Sequence, residues 1–431
     1  MTQKFISITE AMKKGKGKVS VRGWIYRERG SNELKFLIIR DSSEIIQCVL
    51  KKERFSAQWP EIDKIQIETS VEIEGTIRAD KRAPTGYEIE ADKLVIVGQS
   101  KDFPINKSLN EELLGDRRHL WLRSRKMTAI MKIRSSYVQA RDEFFKKEGF
   151  YRFDTPILQP TQSEGGSTVF PVDYYGQKLY LAQTWQLYGE AAIFSLEKVY
   201  NMGPTFRAEK SKTSRHLSEF WMAETEVAWW KLDEITEFAK KEIKYCVEKV
   251  AKERVKELKI LGVEPNSLIK TVKKKWPTIR YREALKILKE KDKLTIPFGK
   301  DLRTIEEEKL MKHFDTPVIV TNYPKEIMAF YKPRDLKHPD EALCFDMLAP
   351  NGTEIVGGSE RSLDLKEMSE NLKRDGENPE DYRFYFDLRK YGSVPHSGYG
   401  VGIERVIQWI CKLDSIKDAI PFPRTMTRWS P

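Results

Sequence analysis

The first hundred residues alternate apolar and polar positions with the two-residue period of a strand buried on one face. Val19 and Val21 alternate with polar neighbours, and Val71, Ile73 and Ile77 with Glu72, Glu74 and Thr76. LKFLIIRD, EIIQCVL and YEIEADKLVIV add further short runs, separated by polar turns such as APTG. About five short strands in so short a stretch predict a small barrel over residues 1–100. A linker with a proline and several charges follows, residues 101–126. The period then changes. Ile130, Ile133, Tyr137, Ala140 and Phe144 recur every three to four residues, which predicts an amphipathic helix over 127–148 ended by Gly149. FDTPILQP continues as an extended segment, since Pro156 and Pro160 exclude a helix. Strands are predicted to dominate from Leu179 onward, interrupted by a helical insertion over about 232–295 that carries Ile235, Phe238, Ile243 and Val250. Its Lys-rich VKKKWP reads as solvated surface. Strands resume after Pro317, and IERVIQWICKL reads as an amphipathic helix. Strands broken by helices without regular βαβ alternation predict an α+β fold, a largely antiparallel sheet with flanking helices.

Composition narrows the class. A chain of 431 residues exceeds one ordinary core, so two or three domains are expected. No run of about 18 apolar residues occurs, so no membrane span is predicted. The four cysteines (Cys48, Cys246, Cys344 and Cys411) form no CxxC pair, which argues against a zinc site or a disulfide framework. Scattered thiols and an N-terminus without an apolar signal block predict a cytoplasmic protein. Lys and Arg number 76 against 65 acidic residues, a net charge of +11. A polyanionic partner and an ordinary basic enzyme explain that surplus equally well. The barrel adds weight to the first, because the OB-fold is the common nucleic-acid-binding barrel of this size.

Two segments carry chemistry. In GPTFRAEKSKTSRHLSEFWMAETEVAW, two strand-like arms flank a polar loop holding Arg207, Glu209, Arg215 and His216. A guanidinium there can fork onto phosphate oxygens while a carboxylate meets amino groups, as a nucleotide requires. A surface hairpin with a salt bridge fits the same residues. In HSGYGVGIERVIQWI, Gly398, Gly400 and Gly402 precede a helix bearing Arg405. Closely spaced glycines let a ligand approach the backbone, although alone they more often mean close packing.

Together these segments resemble the three ordered motifs of the class II aminoacyl-tRNA synthetases. KKEGFYRFDTPIL is similar to motif 1, the dimer-forming helix and strand, with its proline at Pro156; FRAEKSKTSRHLSEF is similar to motif 2 and GYGVGIERV to motif 3. VRGWIYRERGSNELKFLIIRDSSEIIQCVL resembles the anticodon-binding barrel of the aspartyl, asparaginyl and lysyl subclass. The resemblance implies an anticodon-binding OB-fold over 1–100, a hinge over 101–126, a catalytic domain over 127–431 and a homodimer. It implies that Phe36 stacks on an anticodon base and Gln47 reads a base edge; barrel core and exposed strand are the plainer readings of those two. It also implies ATP as substrate, bound by Arg207, Glu209, Arg215, His216, Phe220 and Arg405, with Arg207 and Arg405 catalytic. Mg²⁺ would be held by Asp346 and Glu354.

The amino-acid end would be formed by Glu164, Thr184, Gln186, Glu224 and Arg361. Aspartyl enzymes carry a lysine in this region that neutralises the substrate carboxylate. Aligned on Gln186, that position here is Gly189. Without that cation, Glu224 can accept from the side-chain NH₂ of asparagine while Arg361 donates to its oxygen. The resemblance thus points to L-asparagine and tRNA(Asn). The alternatives are an aspartyl, or non-discriminating, enzyme and an asparagine synthetase-like ligase working through an aspartyl adenylate. A non-catalytic RNA-binding protein would not need Arg207, Arg405, Asp346 and Glu354 together.

Overall fold

The computed structural model describes residues 4–106, 109–163, 168–211 and 215–430, in two compact units, 1–109 and 110–431. In the first, α1 (Ile8–Lys14) starts with a capping box: Ser7 Oγ accepts from the Glu10 amide and the Glu10 carboxylate accepts from the Ser7 amide. Strands β1 (Gly17–Gly30), β2 (Leu34–Arg40), β3 (Ile45–Lys51), β4 (Ser70–Ala79) and β5 (Tyr87–Gly98) close a barrel in the order β1-β2-β3-β5-β4, with the short α2 (Trp59–Asp63) between β3 and β4. The alternation seen in the sequence sends Val21, Leu37, Ile39, Ile73 and Ile89 inward to one core.

The second unit begins with α3 (Glu111–Asp116) and α4 (Arg118–Trp121), within the stretch expected to be a linker. Arg118 explains why that stretch is packed: it is 2% exposed, and its guanidinium donates to the carbonyls of Lys417, Ile420 and Pro421, each at 2.8 Å. The expected amphipathic helix is α5 (Arg125–Lys147), capped by Ser124 Oγ. Arg141 on its inner face is buried and donates to Glu242 Oε1 at 2.8 Å and to the Asn201 carbonyl at 3.0 Å, tying α5 to the sheet. Next come β6 (Tyr151–Arg152), a small sheet of β7 (Leu158–Gln159), β8 (Pro171–Tyr174) and β9 (Gln177–Leu181), then α6 (Gln186–Leu196), β10 (Lys198–Phe206) and β11 (Glu219–Ala228). The insertion holds α7 (Leu232–Glu253), α8 (Val255–Ile260), α9 (Pro265–Lys273), β12 (Thr278–Arg280) and α10 (Tyr281–Asp292). The remainder is α11 (Thr304–Met311), β13 (Val318–Thr321), β14 (Cys344–Leu348), β15 (Glu354–Glu360), α12 (Leu365–Arg374), α13 (Arg383–Lys390), β16 (His396–Gly402) and α14 (Ile403–Cys411).

Eight strands form the central sheet in the order β12-β13-β14-β15-β16-β11-β10-β6. Only the outermost pairs, β12 with β13 and β6 with β10, are parallel. Helices α5, α7 and α14 cover one face of this sheet with a large apolar core that includes Ile133, Phe144, Ile243, Val247 and Ile407. Helix α6 departs from the strand-rich expectation after Leu179. Its polar Gln186 and Glu190 are buried together with Leu187, Ala192 and Ile193, so it carries no polar face for the sequence to reveal. No helix among the described residues is long and apolar enough to cross a membrane.

Candidate active site

On β11, Phe220, Met222 and Glu224 stand two residues apart and share one face of the strand. In register beside Glu224 lies Gly400 of β16, and beside Gly400 lies Gly357 of β15. These positions floor a cavity of about 400 Å³. Its lining includes Arg207, Glu209, Arg215, His216, Phe220, Arg405, Thr184, Gln186, Glu224, Arg361, Asp346 and Glu354. Residues spread over two hundred positions of sequence thus converge on one cleft. Glu164 lies outside the described residues.

One end of the cleft is built for anions. The Arg207 guanidinium sits 5.6 Å from the Phe220 ring centre, and its buried Nε has no hydrogen-bond partner among the described residues. An orphaned guanidinium N–H costs free energy unless a ligand oxygen meets it. Arg405 donates through Nη1 to the Glu354 carbonyl and carboxylate, both at 2.9 Å. Arg215 is anchored to the turn before β15 by a 3.0 Å bond to the Gly352 carbonyl. His216 stands 3.6 Å from Glu209 and 3.1 Å from Ser211 Oγ. Burial pushes His216 below its ordinary value, helped by Arg405, Arg207 and Arg215 and opposed by Glu209.

Asp346 and Glu354 face each other across Gly357. A Cβ there would lie 3.0 Å from Glu354 Oε1 and 3.4 Å from Asp346 Oδ1, so a side chain would fill the space between the two carboxylates. Burial and Glu354 push Asp346 up to about 8, against the pull of Lys332. Burial opposes the charge on Glu354 too, but Arg405, Arg207 and Lys332 outweigh it and hold Glu354 low. Among the described residues no group of three or more His, Cys, Asp or Glu forms a metal cage. A pair of hard carboxylates completed by water and phosphate oxygens is nevertheless the set that suits Mg²⁺. Two residues here escaped the sequence reading. Lys332 lines the cleft, and Glu307 of α11 is pushed up to about 8 by burial and by Glu354 and Asp346. Neither lies in a motif, and only the fold brings them in.

The other end is a dense network of buried polar groups. Glu224 is buried, and its carboxylate is already engaged: Oε1 accepts from the Trp185 amide at 2.7 Å and Oε2 from the Thr184 hydroxyl. It is therefore a held acceptor rather than a bare one. Arg361 forks onto Glu226 through Nε and Nη2 and donates from Nη1 to Ser359 Oγ at 2.8 Å. That uses three of its five N–H groups. Glu226 fits because Gly398 has no side chain: a Cβ there would meet Glu226 Oε1 at 2.2 Å. Gln186 donates to Glu190 Oε1 at 2.9 Å, and Glu190 also accepts from Tyr385 at 2.7 Å and Arg389 at 2.5 Å, with His396 Nε2 at 2.9 Å. Burial alone would raise Glu190, but Arg389, His396 and Arg361 outweigh it and hold this carboxyl well below the usual range. Glu190, Glu226, Arg389 and His396 were not foreseen from the sequence.

In the barrel unit, Phe36 and Gln47 lie on adjacent strands, with Phe36 paired to Val49 and Gln47 to Ile38. Phe36 is half-buried, lies outside the barrel core and carries the Arg29 guanidinium 5.1 Å from its ring centre. Gln47 is buried at 3% exposure, where Arg29 donates to its Oε1 at 3.0 Å and its Nε2 donates to Glu88 at 2.9 Å. Phe36 is thus not barrel core, and Gln47 is not an exposed strand residue.

Comparison with known proteins agrees with this geometry. Residues 110–426 match the family described as tRNA synthetases class II (D, K and N), and residues 19–97 match the OB-fold nucleic acid binding domain. The chain is 45% identical over 416 residues to the asparagine–tRNA ligase of Thermoplasma acidophilum and 44% over 415 residues to that of Thermococcus kodakarensis, covering 96% of both partners in each case. It superposes on the asparaginyl-tRNA synthetase of Pyrococcus horikoshii complexed with asparaginyl-adenylate with a TM-score of 0.96, at 40% identity and full coverage of both chains. The aspartyl tRNA synthetase of Entamoeba histolytica shares the fold, with a TM-score of 0.85, at 24% identity. The aspartyl and asparagine synthetase-like alternatives are not favoured. The chain belongs to the class II tRNA synthetases of the D, K and N group, on the asparagine–tRNA ligase branch.

Proposed function

We propose that the cleft joins L-asparagine to ATP, releasing pyrophosphate, and that the asparaginyl group then passes from the adenylate to the terminal adenosine hydroxyl of tRNA(Asn). The observation that carries this reading is one cavity with two chemically opposite ends: Arg207, whose buried Nε has no hydrogen-bond partner among the described residues, at one, and Glu224 with Arg361 at the other. The asparagine carboxylate attacks the α-phosphorus. Arg207 binds the oxygens on which charge builds, Arg405 holds the distal phosphates and Phe220 stacks on adenine, with Glu209, Arg215 and His216 alongside. Asp346 and Glu354 would hold Mg²⁺, which when bound neutralises phosphate charge. No side chain is needed as general base, because positioning and charge neutralisation carry phosphoryl-type displacements.

At the other end Arg361 donates to the side-chain oxygen and Glu224 accepts from the side-chain NH₂, while Thr184 and Gln186 line the pocket and Glu164 takes the ammonium. Aspartate would set a carboxylate against Glu224 and be repelled. Phe36 and Gln47 would read the anticodon, α5 would mediate a homodimer, and the cytoplasm is the expected compartment. The test is pyrophosphate exchange with asparagine and aspartate in parallel. Glu224→Gln keeps the volume and removes the charge, so the asparagine-to-aspartate ratio of kcat/KM should fall steeply from a discrimination that can reach about 10⁴-fold. An unchanged ratio removes Glu224 from specificity.

A further inference from the structure

Trp185 and Gly189 lie one helical turn apart at the start of α6. A Cβ built on Gly189 would fall 2.3 Å from Cζ3 and 2.4 Å from Cη2 of the Trp185 indole, distances no real side chain adopts. The ring has no freedom to swing aside. Its Nε1 donates to the Phe153 carbonyl at 2.8 Å, and it is 5% exposed, packed among Ala192, Ile193 and Val199. Gly189 is in ordinary helical backbone, where glycine is less favourable than alanine. What its missing side chain provides is room for the indole.

That indole belongs to the residue whose amide holds Glu224 Oε1. Helical Cα–Cβ bonds tilt toward the N-terminus, so a long side chain at 189 would run back over residue 185 toward the Glu224 carboxylate. A lysine on that path would pair with Glu224, cancel its charge and offer an ammonium to a substrate carboxylate. We infer that Trp185 and Gly189 are a volume-matched pair of positioning residues that bars a cationic side chain from Glu224 and so keeps the pocket selective for an amide over a carboxylate. The inference rests on the asparagine reading of the cleft.

It is tested with Gly189→Lys, Trp185→Ala and two double variants, Trp185→Ala/Gly189→Lys and Trp185→Ala/Gly189→Met, each measured for Tm and for pyrophosphate exchange with both amino acids. Gly189→Lys alone should lose Tm and activate both substrates poorly, since the lysine has no space. Trp185→Ala should lower Tm while keeping the preference for asparagine. The methionine double variant should recover the lost Tm with a substrate ratio within about threefold of Trp185→Ala, because it refills the volume without charge. The lysine double variant should lower the asparagine-to-aspartate ratio by about 10²-fold or more, because only there can a cation reach Glu224. A folded lysine double variant with the wild-type ratio overturns the inference, as does Gly189→Lys alone matching it in Tm and ratio. A wild-type preference for aspartate overturns the asparagine reading instead, and the Tm values still report whether the two residues are matched in volume.

Discussion

At the amino-acid end of the cleft, charge meets charge inside the protein: Glu190 has Arg389, Tyr385, Gln186 and His396, and Glu226 has Nε and Nη2 of Arg361. At the phosphate end charges are left in conflict. Among the described residues Arg207 Nε is buried without a hydrogen-bond partner, and burial and neighbouring carboxylates push Asp346 and Glu307 up to about 8; burial raises Glu226 at the other end as far, but there Arg361 holds both carboxylate oxygens. The difference follows from what each end is proposed to do. Telling an amide from a carboxylate requires donors and acceptors fixed in advance, which such a network provides. Binding a polyanion with its metal requires charges whose cost is relieved only by the ligand, so that binding energy appears where the reaction needs it.

If that contrast holds, the two ends should respond to mutation differently. The largest effect is expected at Glu190. Glu190→Ala strips the partner from a fully buried Arg389 and should cost roughly 3–5 kcal/mol of stability, measured by urea unfolding. A loss under about 1 kcal/mol would mean the network is not what holds that end together. Arg207→Ala and Arg405→Ala should do the reverse: unfolding close to wild type, but pyrophosphate exchange lowered by about 10²-fold or more. Substantial exchange in either variant would take that arginine out of the chemistry.

Phe36→Ala lies outside both ends and serves as the reference. Asparagine activation should persist, while kcat/KM for tRNA falls roughly 5- to 150-fold, the worth of one stacked base. Equal losses in both reactions would show that the residue acts through folding. The smallest effect sharpens the phosphate end. Glu307 has a folded pKa of about 8, above its unfolded value near 4.5, so between those values the folded chain binds more protons than the unfolded one. Stability therefore falls as pH rises through that window. Glu307→Gln should raise Tm by a few degrees at pH 9 in magnesium-free buffer and change it little at pH 4. A shift of equal size at both pH values would exclude ionisation as the cause.

Much of this was legible from local pattern. The period-two runs of the first hundred residues become five barrel strands, and the three-to-four spacing from Ile130 to Phe144 becomes α5, because one-sided burial imposes a period that the chain itself displays. α6 stayed hidden because its buried face includes Gln186, which donates to Glu190, and Glu190 itself, whose other partners lie on α13 and β16. The stretch around Arg118 read as a linker for a similar reason: its charges pair with carbonyls about 300 residues away.

The sequence by itself determined the family, a small barrel ahead of an α+β domain, and the residue types proposed to meet ATP and asparagine, since the hairpin arginine, the glycine-punctuated strand and the helix arginine carry their chemistry within a few neighbouring positions. Only the tertiary structure decided which of them are satisfied and which are left waiting. It put Lys332 and Glu307 beside the carboxylate pair, tied Arg361 to Glu226, held Glu224 on the Trp185 amide and laid the Trp185 ring against Gly189. Apart from the Trp185–Gly189 contact, one helical turn long, these are long-range relations. The energy of a buried polar group depends on what stands within about 3 Å of it, which no local pattern records.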